Sequence, residues 1–288
     1  MAKLIDGKAV AQLVRHEVAR GVSEFRTRYG RAPGLHVILA GDDPASAVYV
    51  RNKEKAAQEV GIDGKVHRLP ATVGQATLLA LVEELNRDAS VDGILVQLPL
   101  PSGISASSVV QAVAPSKDVD GLHTVSAGAL WSGRPGLVPC TPRGCLRLIE
   151  HAEVKLEGAR AVVVGRSTLV GKPVAALLLE QNATVTIAHS KSRDLAALCR
   201  EADVLVAAVG RRNVIGGSFI KPGAVVIDVG TNRDEHGKLC GDVDFAAAEK
   251  VAGAITPVPG GVGPMTIAML LDNTLLAARA RAATTATA

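Results

Sequence analysis

The sequence predicts an α/β protein of two domains, the second a Rossmann-like, doubly wound sheet. Short apolar runs alternate with helical patterns along most of the chain, as they do when parallel strands are joined by crossover helices. The length of 288 residues suits two domains of ordinary size, each able to bury its own core. In the second half an apolar strand runs straight into a glycine turn and a helix, an arrangement that sets backbone N–H groups and a helix dipole against a phosphate.

Composition narrows the function classes. A hydrophobic fraction of 48% with 29 glycines describes a globular chain. No apolar run reaches the roughly 18 residues of a membrane span, and Met1 to Asp6 lacks a signal-peptide core, so the expectation is a soluble, cytoplasmic protein without a membrane partner. Cys140, Cys145, Cys199 and Cys240 form no C-x-x-C pair, which argues against a metal site and a disulfide framework. The net charge of +4 is spread without a Lys/Arg block and aromatics are 2%, which argues against a nucleic-acid partner and suits small anionic ligands.

The first helix is predicted from Lys8 to about Tyr29, with Val10, Leu13, Val14, Val18, Val22 and Phe25 at helical spacing and Gly30 as its stop. Gly34 to Ala40 reads as a buried strand. A Gly-Asp-Asp-Pro turn at Gly41 then opens a helix to Gly61 that carries Tyr49 and Lys53 four residues apart, on one face. A phenol beside an amine can hold a flat substrate and handle a proton next to it, although the same pair also describes a solvated helix with a snorkelling lysine. A strand at Lys65 to Leu69 and a helix capped by Thr72 and running to about Asp88 follow. The next strand, Gly93 to Leu98, contains Gln97. A buried amide in an apolar strand must meet its hydrogen bonds, so Gln97 either caps neighbouring backbone or faces a ligand at the carboxyl end of the sheet.

Pro115 to Leu122 is a polar turn with carboxylates at Asp118 and Asp120, and an Asx-turn explains it without any function. Dense Pro/Gly punctuation from Trp131 to Gly144 places a domain boundary near Val138, giving a first domain at 1–138 and a second at 139–265. Thr141 is expected to cap, and Pro142 to open, a helix to His151.

Ala161 to Val164 is the strand that enters the glycine turn Gly165-Arg166-Ser167, and a helix from Gly171 to about Gln181 follows. The spacing is neither G-x-G-x-x-G nor a P-loop. Strands at Thr184 to Ala188, Val204 to Val209 and Ala224 to Val229 complete the doubly wound pattern. NAD enzymes place an acid after the second strand, whereas this chain has His189-Ser190-Lys191, with Arg166 in the glycine turn. A hydroxyl and two cations suit a 2′-phosphate and hence NADP, and a solvated polar turn is the alternative.

Several motifs fall in one order: Gly41-Asp-Asp-Pro-Ala-Ser46, Tyr49-Val-Arg-Asn-Lys53, Val91 to Pro101, Lys117-Asp-Val-Asp-Gly121, Pro139-Cys-Thr-Pro142, Gly165-Arg-Ser167 with Val170-Gly171 and Pro173, Gly241-Asp-Val-Asp244, and Thr256-Pro-Val-Pro-Gly-Gly-Val-Gly-Pro-Met-Thr266. Together they resemble the bifunctional methylenetetrahydrofolate dehydrogenase/methenyltetrahydrofolate cyclohydrolase family, from about Leu4 to Leu276. The family often has Arg where Lys191 stands. The Ala/Thr-rich tail after Arg281 matches nothing and is expected to fray.

The resemblance implies a final helix, Thr266 to about Ala278, that returns to the first domain and completes it with 266–288, a folate cleft between the domains, and a homodimer joined through the cofactor domains. It makes Tyr49, Lys53, Gln97 and Asp120 the catalytic and folate set. It assigns NADP to Gly165, Arg166, Ser167, Ser190, Lys191 and Thr231, and the folate side to Pro259, Gly260 and Gly261. The implied activity oxidises 5,10-methylenetetrahydrofolate with NADP and hydrolyses the methenyl product to the 10-formyl compound, within one-carbon metabolism. The residue types fit: hydride loss from a carbon between two nitrogens leaves a delocalised cation and needs alignment only, whereas hydrolysis needs an acid–base group, for which a lysine depressed by burial is suited. A carboxylate at Asp120 can accept two parallel pterin N–H bonds, and Tyr49 can stack on the ring. A shikimate-type NADP dehydrogenase and a non-catalytic binder are the alternatives.

Overall fold

The computed structural model describes residues 1–286. The chain begins with β1 (Lys3–Leu4), α1 (Gly7–Tyr29), β2 (Gly34–Ala40), α2 (Pro44–Glu59), β3 (Asp63–Leu69) and α3 (Gln75–Arg87). It continues with β4 (Gly93–Val96), α4 (Ala106–Ala112), α5 (Thr124–Trp131) and α6 (Cys140–His151). Then come β5 (Arg160–Val164), α7 (Gly171–Glu180), β6 (Thr184–Ala188), α8 (Leu195–Arg200), β7 (Val204–Ala207) and β8 (Val225–Asp228). A short hairpin of β9 (Asn232–Arg233) and β10 (Leu239–Cys240), α9 (Phe245–Ala248), β11 (Ala254–Ile255) and α10 (Val262–Ala286) complete the described chain.

Two compact units result. One comprises Met1–Gln12 and Thr141–Thr266, the other Leu13–Cys140 and the chain from Ile267 onward. Residues 1–12 therefore lie with the second sheet, whereas the sequence reading put them in the first domain. The cause is backbone pairing: β1 lies parallel to β11, and the Ile5 amide donates to the Ile255 carbonyl at 2.9 Å. A two-residue strand has too little pattern to be seen in advance.

The unit that contains β5 is a parallel sheet in the order β1-β11-β8-β7-β5-β6. Its inner strands β5, β7 and β8 are apolar runs buried along almost their whole length, and Val162, Val164, Leu205, Ala207, Val226 and Ile255 fill one core cluster with Ile215 and Ile220. From β5 the chain passes through α7 to β6 on one side, while β7 and β8 extend the sheet on the other. The order reverses between β5 and β7, and such a reversal opens a crevice at the carboxyl ends of those strands.

The other unit is built on a three-stranded parallel sheet, β3-β2-β4. Leu78, Val82 and Leu85 of α3 recur at helical spacing and pack on Ile38, Ile94 and Val96. Buried Asp92, just before β4, accepts Arg31 Nη1 at 2.5 Å and Nη2 at 2.9 Å, the Gly34 amide at 2.9 Å and Arg281 Nε at 3.4 Å. Removing this carboxylate would leave two guanidinium groups without their shared partner.

Several boundaries differ from expectation. β4 stops at Val96, although the Gln97 amide still donates to Ile38 O. β7 and β8 stop short of Val209 and Val229: the Val209 amide turns to the Asp242 carboxylate, while the Val229 amide still donates to Ala207 O beyond the last strand residue. Gly74, in extended conformation, is the N-cap of α3; Thr72 sits in the preceding turn, closed by Val73 N donating to Pro70 O. α6 begins at Cys140, which places Thr141 and Pro142 in its first turn. α10 starts at Val262 and continues to Ala286, so the chain after Arg281 is helical there; Arg279 bonds Glu24 at 3.1 Å and Thr284 donates back to Ala280 O. Residues 287–288 of the tail lie outside the described residues.

Candidate active site

In the β2–β4 unit, α2 starts because Pro44 fixes the first turn and the Asp43 carboxylate accepts the Ser46 amide at 2.8 Å. Three turns on, Lys53 is half-buried and its Nζ donates to Gln97 Oε1 at 2.9 Å. Gln97 Nε2 donates in turn to the Leu98 carbonyl at 2.7 Å. Of the two sequence readings of Gln97, the backbone contact is present, to its own neighbour Leu98, and its oxygen is taken by Lys53. Tyr49, one turn before Lys53, is exposed.

Asp120 reaches this place through backbone pairing. Asp118 bridges Ile94 in parallel, so the segment runs beside β4, and two residues further along Asp120 comes level with its end, next to Gln97. Asp118 itself is structural: it accepts the amides of Leu122 and His123 and the Ser126 hydroxyl at 2.7 Å, and so holds the entry to α5. The Asx-turn reading therefore fits Asp118, while Asp120 faces the lysine.

Burial sets the electrostatics. Desolvation pushes the Lys53 amine below its ordinary value, and the nearby Asp120 carboxylate and Cys140 oppose it. Desolvation also pushes Asp120 upward, and the Lys53 charge and the Cys140 thiol hold it back. An amine with a lowered pKa, hydrogen-bonded to an amide and facing a carboxylate, gives up and takes back a proton more readily than an ordinary lysine.

Two residues that sequence reasoning missed frame this site. Cys140 lies against Asp120 and donates its thiol to Val119 O at 3.3 Å. Asn273, fully buried on α10, donates from Nδ2 to Val119 O and Val138 O, each at 2.8 Å, which clamps the residue before Asp120. In sequence Asn273 sits in the polar triplet Asp272-Asn273-Thr274 between leucines, so nothing marks it as buried.

In the other unit, Gly165 follows β5 with φ of 140°, and a Cβ there would stand 2.2 Å from Ala208 O, so only glycine fits. The Gly165 amide donates to Ala188 O, which sets Arg166 and the His189-Ser190-Lys191 turn at the ends of adjacent strands. Arg166, Ser190 and Lys191 are exposed, and among the described residues neither cation forms an ion pair. Ser167 Oγ accepts the amides of Val170 and Gly171 at 3.1 and 3.4 Å, so its lone pairs already serve the start of α7. Thr231 is exposed just beyond β8. Pro259 is exposed, Gly260 half-buried with φ of 106°, and Gly261 buried, in the turn between β11 and α10. A close-set glycine turn opposite a helix start, with unpaired cations on the neighbouring strand end, fits a phosphorylated dinucleotide. Among the described residues no group of three or more His, Cys, Asp or Glu could hold a metal ion.

Comparison with known proteins gives two adjoining family matches. Residues 5–120 match the tetrahydrofolate dehydrogenase/cyclohydrolase catalytic domain, and residues 139–282 match the NAD(P)-binding domain of the same name. The chain is 62% identical to a bifunctional protein FolD of Sorangium cellulosum, over 98% of this chain and 99% of that protein. A solved FolD methylenetetrahydrofolate dehydrogenase/cyclohydrolase from Campylobacter jejuni is 45% identical with a TM-score of 0.95, covering 98% of this chain and 100% of that one. A Trypanosoma brucei relative solved with NADP cofactor and inhibitor is 42% identical, with a TM-score of 0.92 and coverage of 97% and 98%.

Proposed function

The chain belongs to the tetrahydrofolate dehydrogenase/cyclohydrolase family, and from that premise we propose how its residues divide the work of a two-step enzyme. It oxidises 5,10-methylenetetrahydrofolate to the methenyl compound with NADP and hydrolyses that product to 10-formyltetrahydrofolate, in one-carbon metabolism. A shikimate-type dehydrogenase would leave the catalytic-domain match over residues 5–120 without explanation.

The observation that carries the assignment of roles is the Lys53–Gln97 bond at 2.9 Å with Asp120 within electrostatic reach. Bound NADP supplies the hydride acceptor. For that step the protein only has to align the folate: Asp120 accepts the pterin's paired N–H groups and Tyr49, exposed one turn from Lys53, stacks on the ring. In hydrolysis the Lys53 amine takes a proton from the attacking water as the C–O bond forms. It returns one to the ring nitrogen as the C–N bond breaks, and the water's second proton leaves to solvent. Gln97 holds the amine in line through its oxygen while its own NH2 is fixed on Leu98 O. Arg166 and Lys191 take the 2′-phosphate, Gly165, Ser167, Ser190 and Thr231 line the dinucleotide, and Pro259, Gly260 and Gly261 face the folate. The purified protein should form NADPH from methylenetetrahydrofolate and consume methenyltetrahydrofolate without NADP. A protein that did neither would refute the activity.

A homodimer joined through the cofactor unit is part of the same proposal. β6 is the outer strand of its sheet, with Ile187 37% exposed, and Leu179 of the adjacent α7 is 55% exposed. An open edge beside apolar side chains suits a second copy of the chain. Sedimentation should give twice 29.6 kDa, and Ile187→Lys should lower it. Among the described residues no helix is long and apolar enough to cross a membrane. A cytoplasmic location completes the proposal.

A further inference from the structure

The crevice at the ends of β5 and β7 has two walls. One is the glycine turn at Gly165. The other is the turn Ala208 to Arg212 that follows β7, and its Ala208 carbonyl lies where a Cβ on Gly165 would have to go, at 2.2 Å. That second turn is held by one side chain from far along the chain. Asp242, fully buried, accepts Val209 N at 2.6 Å and Gly210 N at 2.9 Å on Oδ2, and Arg211 N at 3.0 Å and Asn232 Nδ2 at 2.9 Å on Oδ1. Three consecutive backbone amides form a concave nest of the kind that binds anions, and here the anion is an internal carboxylate. Asp242 is itself seated by Asp228 at the end of β8, which accepts the Asp242, Gly230 and Val243 amides at 2.9, 2.9 and 3.0 Å. A Cβ on Gly241 would stand 1.8 Å from Asp228 Oδ2, so the chain must be glycine there for the two acids to nest.

We propose that Asp242 is a positioning residue for the dinucleotide: its carboxylate shapes the 208–212 wall, and so sets cofactor affinity without touching the folate chemistry. This rests on the reading of the β5–β7 crevice as the NADP site. The neutral isostere cannot serve, because an Asn side chain must aim NH2 at amides that are themselves donors. Once its acceptor is gone the nest loses charge-assisted bonds, and the turn is free to leave the position that leaves room for a ligand beside Gly165.

The test uses Asp242→Asn and Asn232→Ala in the full-length protein, with NADP titrated directly and both half-reactions assayed. Asp242→Asn should raise the KM and Kd for NADP about tenfold to a hundredfold, with folate KM and methenyl hydrolysis within about twofold of wild type. Asn232→Ala, which removes one donor and leaves the backbone nest, should raise the KM for NADP a few-fold in the same pattern. Unchanged NADP affinity in Asp242→Asn overturns the proposal, and so does parallel loss of NADP binding and hydrolysis in a folded variant. If Asp242→Asn does not fold, Asn232→Ala decides alone: unchanged NADP affinity, or loss shared with hydrolysis, overturns it. Failure of the underlying reading is distinguishable, because Arg166→Ala at the same crevice would then leave NADP affinity unchanged as well.

Discussion

The roles proposed for Lys53 and Arg166 are opposite kinds of chemistry, and each fits its surroundings. Lys53 is half-buried, so its ammonium is costly and its pKa falls below the lysine norm of about 10.4. If the free amine accepts a proton from water, hydrolysis must rise with pH along a limb below that norm, because the ammonium at lower pH has no lone pair to offer. A pH–rate profile should contain this limb in wild type and lack it in Lys53→Gln; a limb that persists in the variant would belong to another group. Arg166 is exposed at a strand end, where its planar guanidinium can meet a phosphate. Arg166→Ala should weaken NADP by about tenfold to a hundredfold and NAD far less, since only NADP offers the phosphate for a charge-assisted pair. Equal losses for the two cofactors, measured as KM ratios, would take Arg166 out of the phosphate grip.

At the scale of elements, the site depends on segments that hold their own ends. Asp118→Ala would strip acceptors from Leu122 N, His123 N and the Ser126 hydroxyl, at about 1–3 kcal/mol for a donor left unpaired. Asp120 is two residues away, so thermal stability should fall and folate KM should rise for both activities together; a stability loss with unchanged KM would show that the segment's anchoring is independent of α5. Elements with strong periodicity were legible in the sequence: α1, β2 and β6 have nearly the bounds their apolar spacing predicts, and β2 and β6 match at both ends. The short ones were not. α4, α5, α8 and α9 span four to eight residues, too few for a helical period to stand out, and α9 depends on Asp244 capping it through Ala247 N. Within the site, Gln97 stood out as an amide in an apolar strand and Lys53 by its spacing from Tyr49, whereas Asp120, in a turn with an ordinary Asx reading, was reached only through the family resemblance. Cys140 and Asn273 were overlooked because a buried thiol and a helix amide each have an ordinary packing explanation, and only tertiary contact sets them beside Asp120.

Over the whole molecule, chain order and spatial grouping diverge. α1 and α10 each begin in the cofactor unit and continue into the other, so the ends of the sequence are shared between the two units. That crossing was only partly visible, because a helix shows its apolar stripe in sequence but not which sheet each turn will meet. The division of groups matters for the proposed function: the residues proposed to hold NADP cluster at the β5–β7 crevice, while the Lys53, Gln97 and Asp120 set is anchored on the β2–β4 sheet. On that proposal oxidation needs both sets, and hydrolysis needs the second alone. The most direct test is Lys53→Gln, which keeps a hydrogen-bond donor and loses the titratable amine, assayed on one purified sample for methenyl disappearance and for NADPH appearance. Hydrolysis should fall by about a hundredfold to ten-thousandfold and oxidation by much less, whereas hydrolysis near the wild-type rate would contradict Lys53 as the acid–base group.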